Sequence, residues 1–124
     1  MAKIQPSPEN FQKQLSITNV IDSHLRIIED ETGLYSFPSL ILKHPLFLEL
    51  VEMGDKIVNY LFHIMFEHGS GRVLLLLLDK IAKNKPEIPK EHAGRFYHQT
   101  VNWMKWYLES DYYKNNDIYY NLVC

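Results

Sequence analysis

Three side chains near the middle of the chain, His63, Glu67 and His68, are the closest the sequence comes to a metal-binding set. Imidazoles and carboxylates are ordinary zinc ligands, and helical zinc motifs place them four residues apart so that they share one face. His63 and Glu67 have this spacing, but His68 is five positions from His63 and turns off the shared face. We therefore interpret His63 and Glu67 as a surface pair and predict neither a metal nor a cofactor.

A second group, Glu91, His92 and His98, could supply acid and base catalysis because histidine titrates near neutral pH. The sequence contains no G-x-S-x-G motif, no cysteine with a plausible partner and no glycine-rich phosphate loop beside them. We assign no catalytic residue. A small hydrolase or transferase that uses His92 or His98 with a nearby carboxylate is kept as an alternative hypothesis.

The third group is aromatic. Trp103 and Trp106 are three positions apart and lie with Tyr107 on neighbouring parts of one helical face. Large aromatic side chains usually pack in cores, so these could hold the last long helix on the leucine helix and cover the loop at Asn84 to Pro89. Tryptophan and tyrosine are also frequent anchors of protein interfaces. Both interpretations stay open from the sequence.

Four tyrosines near the end of the chain raise the same question: Tyr112, Tyr113, Tyr119 and Tyr120. Interleaved lysines would let such rings stack on bases, but Glu109, Asp111 and Asp117 cancel the positive field that nucleic-acid binding needs. We expect this tail to dock on the body or on a second copy. The candidate partner-binding residues are therefore Trp103, Trp106, Tyr107, Tyr112, Tyr113, Tyr119 and Tyr120.

The elements that carry these residues are helices, since apolar residues recur at spacings of three and four and seldom alternate. The sequence predicts an all-α protein, a compact bundle of five or six helices. We expect one helical domain over residues 1–124: an N-terminal helix in 1–35, a helical core in 36–110 and a tyrosine-rich tail in 111–124.

Prolines and glycines predict the helix boundaries. The first helix should begin near Ser7 and stop at Gly33, with a possible break at residues 16–19. A short helix should run from Pro45 to Met53, entered through His44 and closed by Gly54.

A helical hairpin is predicted next. Asp55 is a plausible N-cap for its first helix. The buried stripe of that helix has the spacing i, i+1, i+4, i+7 and i+8 and consists of Ile57, Val58, Leu61, Ile64 and Met65. Glycines at 69 and 71 should join it to a second helix at about Arg72 to Lys83. The layout of residues 55–83 is HEAT-like: two antiparallel helices with the second one buried.

The second helix of the hairpin contains five consecutive leucines. The apolar run Val73 to Leu78 would span only about 9 Å as a helix, against about 30 Å of bilayer hydrocarbon, so we predict no membrane span. The run also covers every side of the helix, and one partner surface would not bury it. We predict a central helix that is shielded by the Ile57 to Met65 stripe on one side and by the tryptophan helix on another.

Five short motifs lie in order between Glu31 and Glu109: "ETG" at 31–33, "S-x-P-S" at 36–39, "HPLFLELVEMG" at 44–54, "NKPEIP" at 84–89 and "WMKWYLE" at 103–109. In these motifs the chain resembles a family of small uncharacterised bacterial proteins. The family pattern continues with a helical hairpin, an Asn-Pro loop and a Trp-x-x-Trp helix. The resemblance implies a helical fold and a bacterial origin, and it implies no activity.

Net charge, cysteine content and the N-terminal sequence narrow the possible partners and the cellular location. A formal charge of −2 and a pI near 6.3 do not suggest a general polyanion-binding surface. The only cysteine, Cys124, excludes an intrachain disulfide and indicates a reducing compartment, and the N-terminus lacks the apolar core of a secretory signal. We therefore predict a cytoplasmic location.

The leading functional hypothesis is a non-enzymatic protein–protein interaction module. It could be the small partner in a bacterial two-component system such as a toxin–antitoxin or phage-defence pair. Besides the enzyme that uses His92 or His98, a homodimer closed by the C-terminal tail is the remaining alternative.

Overall fold

The computed structural model describes residues 8–33, 38–69, 71–87 and 96–114. These residues form six α-helices of five residues or more, a 3₁₀ turn and a final helical turn, and they contain no strand. The helices are α1 (Pro8–Thr32), α2 (Pro38–Leu42), α3 (Pro45–Met53), α4 (Val58–His68), α5 (Arg72–Ile81), α6 (Phe96–Glu109) and the turn α7 (Asp111–Lys114). The predicted all-α bundle is confirmed.

Helix α1 is continuous through residues 16–19, so the predicted break there is wrong. The Thr18 hydroxyl donates to the carbonyl of Leu15 (3.0 Å), which satisfies this polar side chain without interrupting the helix. Ile21 and Ile28 on the same helix are fully buried and hold it against the core. The helix ends as predicted at Gly33, whose φ of 74° turns the chain and whose N–H donates to the carbonyl of Glu29.

Helix α3 has the predicted ends. His44 is its N-cap, with Nδ1 accepting a hydrogen bond from the backbone N–H of Leu46 (3.1 Å), and Gly54 closes it at φ 73° and ψ −159°. The predicted N-cap at Asp55 is wrong. Asp55 lies within a 3₁₀ turn, Gly54–Ile57, and α4 begins at Val58 without a side-chain cap. The Asp55 carboxylate instead pairs with Lys83 (3.2 Å).

Two histidine–carboxylate contacts join α1 to the α3 region. His24 Nε2 lies 2.6 Å from a Glu49 oxygen, and His44 Nε2 lies 2.5 Å from a Glu31 oxygen. Because Nδ1 of His44 accepts from a backbone N–H, its Nε2 carries the proton that is donated to Glu31. These contacts fix the angle at which α1 lies across α3.

Helix α5 is the centre of the bundle. Leu77 and Leu78 are fully buried, Leu75 is buried and Leu76 is half-buried, so the leucine run is not a free surface. Helices α1, α2, α3 and α4 all pack against α5. The helix ends at Ile81 rather than Lys83, because its C-cap Ala82 already has an extended backbone (φ −71°, ψ 137°).

The tryptophan helix contacts α4 through its rings. Phe62 and Phe66 of α4 are the partners, and Trp106 also covers the loop after α5. The predicted shielding of α5 by this helix stays a prediction.

Among the described residues, no α-helix combines the length and the apolar character that a membrane span requires.

Replacing Gly54 with alanine should destabilise the fold by about 1–3 kcal/mol, because its φ and ψ lie in a region that is nearly exclusive to glycine. Gly71→Ala is the matched control. Its φ of −105° suits any residue, and the new Cβ would meet only the end of the flexible Glu29 side chain. We expect a cost below about 1 kcal/mol there. Urea unfolding followed by circular dichroism measures both, and equal losses would contradict the strain argument.

Candidate partner-binding surface

Phe62 of α4 is the side chain against which the aromatic residues of α6 pack. Its ring is fully buried and stacks on Tyr107 with centroids 4.1 Å apart and planes inclined by 12°. Trp103 and Trp106 contact the same ring from other sides, at 6.3 Å and 6.1 Å. The aromatic side chains of α6 therefore converge on one side chain of α4.

A buried hydrogen bond accompanies this stack. The Tyr107 hydroxyl donates to Oδ1 of Asn59, at 3.0 Å, and both residues are buried. Burial raises the pKa of Tyr107 to about 12, and the neighbouring Tyr113 phenol adds to the increase. The proton on Tyr107 therefore stays in place at physiological pH and fixes the ring against α4.

Trp106 closes the loop that follows α5. Its indole Nε1–H donates to the backbone carbonyl of Asn84 (2.6 Å), the residue with positive φ. The sequence allowed this side chain either to cover the Asn-Pro loop or to stay open to a partner. The structure places Trp106 on the loop, half-buried, between Phe62 and Tyr112.

Tyr112 ties the turn α7 to the body of the protein. Its hydroxyl oxygen accepts a hydrogen bond from the backbone N–H of Lys83 (3.2 Å). Burial is the main cause of a raised pKa for Tyr112. The Lys83–Asp55 ion pair completes the group. The start of the tyrosine-rich tail is thus a helical turn docked on the body.

Two exposed aromatic side chains contact Tyr107. Phe66 of α4 and Tyr113 of α7 are 49% and 42% exposed. The centroids of their rings lie 6.2 Å and 5.5 Å from that of the Tyr107 ring, so both exposed rings share one buried neighbour. We call Phe66 and Tyr113 the aromatic edge.

The candidate residues from the sequence divide into four groups. Trp103 and Tyr107 are 2% and 5% exposed and serve as core residues. Trp106 and Tyr112 are half-buried, and Tyr113 is exposed. Tyr119 and Tyr120 lie outside the described residues. A role of this set in partner binding stays a prediction.

Sequence reasoning did not select Phe66. Its signal was present: Phe66 follows the last member of the buried stripe, Met65, and so lies about 100° away from that stripe on the helix. A large aromatic residue off the buried face of an amphipathic helix indicates either a neighbouring element or an exposed contact.

No family model, curated protein or solved structure matches the chain. The resemblance to uncharacterised bacterial proteins therefore rests on the residues quoted for it. The surface has to be interpreted from its own geometry.

The residues considered for chemistry are not brought together in the described part of the chain. His63 and Glu67 are both exposed, and no group of three metal-ligating side chains is found among the described residues. His98 is half-buried with its ring against Tyr97, whereas Glu91 and His92 lie outside the described residues. The hypothesis of an enzyme that uses His92 or His98 stays a prediction.

A cleft of about 380 Å³ lies between α1, α4 and α5, away from the aromatic edge. Asp22, Arg26, Glu29 and His68 line it. Asp22 already accepts a hydrogen bond from Tyr60 (2.8 Å), and the Glu29 side chain lies against Gly71. These carboxylates join helices, and we assign the cleft no ligand.

Truncating Phe62 to alanine should cost about 3–5 kcal/mol of folding free energy, the usual penalty for removing a fully buried ring. Phe66→Ala, one turn later on the same helix, should cost about 1 kcal/mol or less because half of that ring is already in water. Urea unfolding of the two variants tests this contrast. Similar losses would mean that Phe66 is a core residue.

Stability should fall as the pH rises from about 10 to about 12. The pKa of Tyr107 is higher in the fold than the value near 10 of an unfolded tyrosine, so its contribution is complete below pH 10 and is lost above it. Urea unfolding at about pH 9 and about pH 11 measures this loss, and Tyr107→Phe should show a smaller one. A loss as steep in Tyr107→Phe as in the natural sequence would assign the effect to other groups.

Proposed function

We propose that the protein is a non-enzymatic protein–protein interaction module of the bacterial cytoplasm, and that the aromatic edge is its contact surface. The proposal includes the HEAT-like character of the α4–α5 hairpin. In this hairpin a short glycine-containing joint connects an outer helix to a buried one. Proteins built from such hairpins commonly use their helical surfaces to bind other proteins.

The observation that carries the proposal is that the exposed rings of Phe66 and Tyr113 both pack against the buried ring of Tyr107. Tyr107 supports both rings and is itself held by the stack on Phe62 and by the hydrogen bond to Asn59. A partner that covers these rings would gain apolar burial while the rings lose little freedom, since their support is already fixed. Binding hot spots have this character: exposed aromatic side chains on an ordered foundation.

Charges near the edge favour a protein over a nucleic acid. The exposed Glu67, Asp111 and Lys114 lie on the two elements that carry the aromatic edge, and the exposed Lys105 and Glu109 lie on α6. A mixed polar border around an apolar centre is the usual composition of a protein interface. It lacks the positive excess that phosphate contacts need.

The partner that we propose is a protein encoded beside this one, as in toxin–antitoxin or phage-defence pairs. Small proteins of such pairs act by covering a surface of the larger one, which requires no catalytic set of their own. The edge offers two anchors, and so the rest of the interface would come from neighbouring polar residues and from the partner.

Co-expression with each neighbouring gene product, followed by affinity purification and calorimetry, tests the proposal. Phe66→Ser combined with Tyr113→Ser should weaken the complex by about 100-fold or more, as the loss of two anchors implies. The matched control is Leu40→Ser with Leu48→Ser, which removes two equally exposed apolar side chains from α2 and α3 and should leave the affinity within a few-fold.

Two results would contradict the proposal. One is a complex that the edge variant binds as tightly as the natural sequence does. The other is the absence of any complex with a neighbouring product while light scattering detects a stable homodimer, which would favour self-association instead. Circular dichroism of each variant ensures that a loss of binding is not a loss of folding.

A further inference from the structure

Two histidine side chains join α1 to the α3 region, and both are largely shielded from water. The contacts are reciprocal: His24 of α1 reaches Glu49 of α3, and His44, the N-cap of α3, reaches Glu31 of α1. The histidine side chains are 16% and 11% exposed, whereas those of the two glutamates are 60% and 61% exposed. We call these two contacts the histidine clasp.

The second nitrogen of each ring has no acceptor for a proton. An ionised carboxylate only accepts hydrogen bonds, so Nε2 of each ring carries the donated proton and Nδ1 is bare in the neutral imidazole. Nδ1 of His44 accepts the backbone N–H of Leu46, at 3.1 Å, and a proton there would set two donors against each other. Nδ1 of His24 is buried and has no hydrogen-bond partner among the described residues, so a proton there would be an unpaired buried donor.

A second proton would also turn each ring into a cation, which its carboxylate attracts. Water weakens this attraction, because both glutamate side chains are more than half exposed. The cost at Nδ1 arises on side chains that are mostly shielded from water, where a missing hydrogen bond is not replaced by the solvent. The cost at Nδ1 therefore outweighs the attraction.

Among the described residues, Glu49 and Glu31 are the ionisable groups in contact with the two rings. Helix α2, which packs on both α1 and α3, carries no ionisable side chain. On the other neighbouring elements, Asp55 pairs with Lys83. The exposed ionisable residues of these elements are Lys56 of the 3₁₀ turn, His63, Glu67 and His68 of α4, and Arg72, Asp79 and Lys80 of α5.

We propose that the histidine clasp is a pH-sensitive joint between α1 and the start of α3. It is closed while both histidines are neutral, and each contact rearranges when its ring takes a second proton. At His44 the rearrangement removes the cap of α3, because an imidazolium has no acceptor for the N–H of Leu46. Ile21 and Ile28 of α1 are fully buried, so the joint loosens while α1 keeps its place in the core.

An NMR titration of ¹⁵N-labelled protein from about pH 8 to about pH 5.5 tests the proposal, since an ordinary histidine takes up its second proton in this range and carboxylates do so below it. Long-range ¹H–¹⁵N spectra should show Nε2–H tautomers at the higher pH and doubly protonated rings at the lower pH. The amide proton of Leu46 should move upfield together with the titration of His44. Nuclear Overhauser contacts across each histidine–glutamate pair should weaken, while the amides of residues 103–109 in α6 should stay unchanged.

Matched variants separate the clasp from the other histidines. His24→Gln with His44→Asn keeps an N–H donor at the first position and a capping oxygen at the second, and neither side chain titrates. In this variant the Leu46 amide should stay constant over the same pH range. His63→Gln with His68→Gln removes two exposed histidines of α4 and should leave the Leu46 titration as it is in the natural sequence.

Three results would overturn the proposal. One is a pair of doubly protonated rings with an unchanged Leu46 amide and unchanged Overhauser contacts, which would mean that the attraction to the carboxylates prevails. Another is a ring that stays neutral down to about pH 5.5. The third is a Leu46 titration that persists in His24→Gln with His44→Asn. Loss of the helical circular dichroism signal at the lower pH would also overturn it, by assigning the change to global unfolding. These outcomes concern the isolated protein, so they do not depend on the proposed partner.

Discussion

The apolar run Val73–Leu78 is the constraint from which the arrangement of the bundle follows. A helix that is apolar on every side has to be covered on every side, and no single neighbour can do this. Helices α1, α2, α3 and α4 all pack against α5, so the first four helices of the chain all contribute to burying the fifth. The two histidine–carboxylate contacts between α1 and the α3 region hold part of this enclosure together.

A second apolar contact holds the tryptophan helix, and Phe62 of α4 is its centre. Phe62, Trp103 and Tyr107 are all buried where α4 and α6 meet. The start of the loop after α5 is held by Trp106 on Asn84 and by Tyr112 on Lys83. Trp106, Tyr107 and Tyr112 thus combine ring packing with a polar atom that has a defined partner.

The sequence was a good guide to where helices begin and end, because glycine, proline and capping side chains act locally. His44, Gly33 and Gly54 behave as their residue types predict. Asp55 does not behave as its type predicts: its carboxylate pairs with Lys83, 28 positions away. A local sequence pattern gives no information about the distance between residues so far apart in the chain. The contacts of α6 with Phe62 and Phe66 were not predicted for a related reason: periodicity gives the buried side of a helix and says nothing about which neighbour buries it.

The candidate surface was predictable only in outline. Aromatic residues of α6 and α7 were selected from their type, but type does not separate Tyr107, which is buried under its neighbours, from Tyr113, which lies at the surface. Phe66 could be recognised as a candidate only from the contact between α4 and α6, because its exposed ring packs against the buried Tyr107 of α6. The support here is a stack and a buried hydrogen bond that would exist without any partner. Phe66 and Tyr113 pack against this held ring, and this is the physical reason for expecting a contact surface at this edge rather than at the exposed leucines of α2 and α3.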